Sequence, residues 1–203
     1  ELMAKLGLPD TGKVNEGRTL HLKRLPELLD AAGFGFEPDK RYGSAPSLSE
    51  DLKLCVFPAK RGGPVKASRT DYLAARTMAE IAALAARADD MVVDAEIESI
   101  VSDLTDFPEI YEIERTRLRA HALALLANPS KLKAATKRLC ELPEKQRQAA
   151  LASAVRAVLA DQRITPSEVR FLEGLYRALG LPQDEVYSRL HSGEVTAKHA
   201  SKS

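Results

Sequence analysis

From Asp71 to His191 the apolar positions recur three and four residues apart in segment after segment, separated by short stretches of Gly, Pro, Asn and Ser. That is the period of helices with one buried face. "SRTD" at Ser68–Asp71 has the form of a capping box, and an alanine-rich helix is predicted behind it over Tyr72–Ala88. A second helix is predicted over Asp94–Leu104 and a third over Glu109–Ala127, after which "NPS" at Asn128–Ser130 offers an N-cap and a first-turn proline to a fourth. Glu144–Ala160, Pro166–Leu179 before the stop at Gly180, and Gln183–His191 complete seven helices. The predicted fold class is therefore all-α, a bundle of about seven helices over residues 71–191, with residues 192–203 as a small polar tail expected to fray.

Residues 1–70 carry a different pattern, richer in Gly and Pro, with short helical signals at Glu1–Leu6 and around Arg18–Ala32. "GFGFEPDKRYGSAPS" reads as turns, and "LKLCVF" at Leu52–Phe57 reads as a strand that can pair with Gly35–Glu37 in a small β-hairpin. Two strands alone are marginal in water. This N-terminal extension is therefore expected to pack on the helical body.

The bundle also carries an internal echo. Shifting the chain by 72 residues lays "RADDMVVDAEIESI" (Arg87–Ile100) over "LADQRITPSEVRFL" (Leu159–Leu172), so that Asp89 meets Asp161 and Glu96 meets Glu168. Each copy is a helix, an acidic turn and a second helix, which predicts a pseudo-duplicated bundle. An aspartate at the C-terminal end of a helix faces the negative end of the macrodipole and calls for a positive charge. A hard divalent cation held by carboxylate and carbonyl oxygens would supply it. A structural reading stands beside this one: Thr165, Pro166 and Glu168 form a capping box, and Arg87 and Arg163 are close enough in sequence to neutralise the aspartates. In the first copy Val93 stands at the cap position and cannot cap, which leaves Glu96 without that explanation. Neither copy is an EF-hand, because Met91 and Val93 stand where ligands are needed.

Composition narrows the function. The 30 basic and 29 acidic side chains balance, so no global charge points to nucleic acid. The basic run "KLKAATKRLCELPEKQRQ" lacks the interleaved aromatics of a single-strand-binding surface and reads as a solvated helix face. Cys55 and Cys140 have no metal-ligand spacing, which fits a reducing, cytoplasmic setting, and no apolar run approaches the roughly 20 residues of a membrane span. The start at Glu1 without methionine suggests a piece of a longer protein. His121, in a long apolar helix, reads as a packed structural residue, and no nucleophile elbow, zinc spacing or phosphate loop is present to suggest an enzyme.

The paired turns "ADDMVVDAE" and "ADQRITPSE", with "FLEGLYRALGLPQDEVYSRLH" at Phe171–His191, resemble the TerB-like tellurite-resistance domain, and "GFEPDKRYG" resembles the segment that leads into that domain in larger bacterial multidomain proteins. The resemblance implies an all-α bundle with an internal duplication, linked to tellurite resistance and stress or phage defence and working with other protein domains or subunits, often in membrane-associated complexes. It implies a divalent metal, Ca²⁺ or Mg²⁺, at Asp89, Glu96, Asp161 and Glu168, with Asp90 and Asp94 as additional carboxylates. The family's usual turn has Gly after the Asp. Here Asp90 and Gln162 stand there, and Gln tolerates a left-handed backbone less well than Asp. The functional expectation is a non-enzymatic, cation-binding module; the alternative is an interaction scaffold whose acidic patch recruits a basic partner without metal.

Overall fold

The computed structural model describes residues 16–43, 45–46, 48–49, 51–89, 94–105 and 110–200. Helix α1 (Glu16–Ala31) leads into strands β1 (Phe34–Glu37) and β2 (Cys55–Pro58), and seven helices follow: α2 (Thr70–Ala86), α3 (Asp94–Thr105), α4 (Glu112–Ala127), α5 (Leu132–Cys140), α6 (Glu144–Leu159), α7 (Pro166–Ala178) and α8 (Asp184–Ala200). The fold is mostly helical, with the small antiparallel hairpin confined to the N-terminal region.

Helix α2 is the hub. Ala74, Ala75, Ala79, Ala82, Ala83 and Ala86 are buried on several of its sides, and a helix apolar nearly all round is one that other helices surround. Alanine lets their backbones come close. Helix α6 lies along it with Ala150, Leu151, Ala154 and Val158 buried, while α4 and α5 flank it and Ile100, Leu104, Leu172 and Tyr176 from α3 and α7 close the same core. Helix α7 stops where its sequence says it should: Gly180 takes φ 70, and the N–H groups of Gly180 and Leu181 bond the carbonyls of Arg177 and Tyr176.

Two expected helix starts differ. Ser68 does not cap α2; the N-cap is Arg69, whose guanidinium instead stacks on Tyr111 at 4.5 Å and bonds Glu114 at 3.1 Å. Asn128 does not open α5, which begins at Leu132 behind Lys131. It closes α4 and clips the head: its Nδ2 donates to the Lys53 carbonyl at 2.7 Å and its Oδ1 accepts from the Lys53 N–H at 3.1 Å. That clip explains a third difference. Leu52–Leu54 were expected in the strand, but with both backbone groups of Lys53 satisfied by Asn128 the ladder begins at Cys55. At the other end of the chain α8 runs past His191 to Ala200. A single internal Gly costs only about 1 kcal/mol against the helix formers that follow.

The hairpin pairs Phe34 with Pro58 and Glu37 with Cys55, and it rests on two small apolar clusters. Leu25, Leu29 and Phe36 form one; Phe57 and Ala59 reach across to Ala120 of α4 in the other. Neither is large. Val65 and Ala67 add apolar contacts to the main core, and a buried polar cluster completes the attachment.

Candidate functional site

The two acidic turns lie beyond the C-terminal ends of α2 and α6. In the second, Asp161 Oδ1 accepts from the Arg163 N–H at 2.8 Å, Gln162 takes the left-handed φ of 62, and Thr165 then caps α7. Glu168 completes the capping box read from the sequence: its Oε2 accepts the Thr165 N–H at 2.7 Å, and Thr165 Oγ1 accepts the Glu168 N–H at 3.3 Å. Its carboxyl is pushed up by burial and by the charges of both Asp89 and Asp161, with the Thr165 bonds pulling the other way. Asp89 of the first turn is thus near enough to Glu168 for its charge to be felt there.

Glu96 and Glu168 are each only 2% exposed, so the glutamate of both segments is buried. Arg87 donates to the Leu126 carbonyl at 2.6 Å, and among the described residues Arg163 meets Asp161 through its backbone rather than an ion pair. Asp90 lies outside the described residues, as does the side chain of Asp94. The donors are hard oxygens of the kind Ca²⁺ and Mg²⁺ prefer. Among the described residues, however, no three His, Cys, Asp or Glu side chains are gathered tightly enough to hold an ion by themselves.

Gln162 stands where glycine would be free of strain. A left-handed non-glycine residue costs roughly 1–2 kcal/mol, offset in part by the entropy that glycine adds to the unfolded chain. Gln162→Gly should therefore raise stability by roughly 1 kcal/mol in urea unfolding; a loss of stability would show that the side chain has a role that outweighs the strain.

A second constellation escaped the sequence reading. Glu37 at the end of β1 is wholly buried between Arg76 of α2, whose Nη2 donates to it at 3.1 Å, and Arg117 of α4, whose Nη1 donates at 2.9 Å. His121 Nδ1 lies 3.4 Å from the same carboxylate. Burial alone would push Glu37 up, but the hydrogen bonds and the guanidinium charges carry it down to about 2. Burial and the Arg76 charge hold His121 down at about 4, so the imidazole is neutral at pH 7 and the two arginines balance the carboxylate. The signal was present in the spacing: Tyr72, Arg76 and Glu80 stand four apart on α2, and Arg117 and His121 four apart on α4, each a stripe of polar groups on a buried face.

Fold and sequence together define a class: a mostly helical domain whose sequence carries two similar acidic segments 72 residues apart, each following a buried helix. A family model described as "Tellurite resistance protein TerB" matches residues 75–189, more than half of the chain. The chain belongs to the TerB family. Comparison with curated proteins and with solved structures gives no match.

Proposed function

We propose that this chain is a non-enzymatic, cytoplasmic TerB module that draws a divalent cation, Ca²⁺ or Mg²⁺, to its acidic corner and acts as an interaction part of a bacterial tellurite-resistance or stress-response assembly. That the charges of Asp89 and Asp161 both bear on buried Glu168 supports this reading. Like charges brought together in a partly desolvated place are costly unless something positive joins them. Glu96, Asp90 and Asp94 are the remaining oxygen donors from the first turn. The partners are other protein domains or subunits, including those of a membrane-associated complex; balanced charge gives nucleic acid no purchase, and no described helix is long and apolar enough to cross a membrane.

The alternative, a corner that recruits a basic partner without metal, is favoured by the structural duties already held by Glu168 and Asp161. Thermal melting separates the two. A cation at 100 times its dissociation constant should stabilise the chain by about 2.7 kcal/mol, or roughly 5–10 °C, and Asp89→Ala with Asp161→Ala should abolish the shift. If Ca²⁺, Mg²⁺, Mn²⁺ and Zn²⁺ all leave the melting temperature unchanged, the cation reading fails and the scaffold reading stands.

A further inference from the structure

Helix α5 breaks the local rules for a helix start. Its N-cap is Lys131, which makes no side-chain cap hydrogen bond, and its first turn holds Lys133 and no acidic residue. A Ser, Thr, Asp or Asn at the first position and a carboxylate at the second would each stabilise the helix, whereas cations there meet the positive end of the macrodipole. Lys133 and Lys137 then stand four residues apart, where like charges repel. Nothing in the described part of the protein offsets this. None of the three lysine side chains has a hydrogen bond or an ion pair among the described residues. The neighbouring Arg138 is bonded to Glu80, and the next carboxylates along the chain are Glu141, at the far end of the helix, and Glu144, which Arg147 already holds.

At about 100° per residue, Lys133, Lys137, Ala134 and Lys131 follow one another round one side of α5, and all four are exposed. A chain whose 30 basic and 29 acidic side chains balance has thus set three unpaired positive charges on one short helix. A surface that lowers the stability of its own helix without an internal gain is the kind kept for another molecule.

We propose that the outer side of α5 docks an acidic protein segment, whose carboxylates supply the partners that these lysines lack inside the protein. Ala134 is small and lets the backbone of that segment lie close between them. Nucleic acid suits the surface less well: α5 has no aromatic residue on which a base could stack, and its free cations are lysines rather than forked guanidinium groups. A membrane surface would call for large apolar side chains beside the lysines, and on this arc the apolar residue is Ala134. The proposal goes beyond the cation reading of the acidic corner and does not depend on it, since no residue of α5 belongs to that corner.

Poly-L-glutamate titrated into the full chain tests it, with a single-stranded oligonucleotide and phosphatidylserine vesicles as comparison probes. The chain should bind poly-L-glutamate saturably, and more weakly as salt is raised. Lys133→Glu reverses one charge and gives Lys137 a partner four residues away. It should weaken binding about fivefold or more while raising the melting temperature of the free chain by about 1–3 °C. Lys131→Ser, which supplies the missing cap, should move both in the same directions. Lys60→Glu makes the same charge change at an exposed site in the head and should leave binding within about twofold. The proposal is overturned if poly-L-glutamate does not bind, if Lys133→Glu and Lys131→Ser bind it as the parent chain does, or if Lys60→Glu weakens it as much. It is also overturned if Lys133→Glu lowers the melting temperature, or if the oligonucleotide or the vesicles bind more tightly than poly-L-glutamate through the same lysines.

Discussion

Replacing Arg117 with Met should lower the unfolding free energy by about 3–5 kcal/mol and the melting temperature by roughly 10 °C. Arg117 is 0% exposed and spends its guanidinium on three separate pieces of the head. Nη1 donates to the Phe36 carbonyl at 3.0 Å and to Glu37 at 2.9 Å, Nε to the Gly63 carbonyl at 3.2 Å, and Nη2 to the Gly62 and Gly63 carbonyls. The group also sits 3.9 Å from the centre of the Tyr42 ring. Methionine would fill much of the volume but satisfy none of these acceptors. It would leave Glu37 buried with one guanidinium in place of two. Breaking a buried ion pair from one side is costly because the remaining charge has nowhere to go. The double variant with Glu37→Gln should lose less than the sum of the two single losses, since removing the carboxylate removes part of the penalty. Urea unfolding measures both. A loss below about 1 kcal/mol for Arg117→Met would mean that the apolar clusters of the hairpin hold the head without it.

The parts of this fold that could be read in the sequence are those whose cause is local. The capping box of Thr165 and Glu168 and the stop at Gly180 each follow from a few adjacent residues, and both are found in place, while the left-handed backbone at Gln162 agrees with the glycine that the family resemblance puts there. The echo of one acidic segment in the other was legible because a repeat carries its own context: Asp89 and Asp161 each follow a buried helix, and the charges of both bear on Glu168. The Glu37 site was not legible in the same way. Its partners lie 39 and 80 residues away, and an arginine in a helix looks like part of the polar face until its neighbours are known. Asn128 misled for a related reason. Its position before a proline suits an N-cap, but a distant backbone at Lys53 competes for the same side chain and wins two hydrogen bonds. Local capping rules rank what a residue can do alone, whereas tertiary partners decide what it does.

The same buried cluster makes the head sensitive to acid, and the sign is fixed by the direction of both shifts. His121 is held down at about 4 from an ordinary 6.5, so the folded protein refuses a proton that the unfolded chain accepts. Stability should be level above about pH 6.5 and fall as pH drops toward 4, by about 3 kcal/mol in all from this residue. Glu37 is held down at about 2, so its contribution is present above the ordinary carboxylate range and is lost as pH falls from about 4.5 toward 2. The first stage belongs to the imidazole. The groups around it decide how steep it is: Arg76 opposes its protonation, while Glu37 and Glu80 favour it. Urea unfolding at pH 7, 5.5 and 4 should show the first stage in the parent chain, and His121→Leu should flatten it while leaving the later loss from Glu37. The prediction fails if the parent chain keeps its full stability at pH 4, because a buried neutral imidazole with these neighbours must then be taking up its proton without cost.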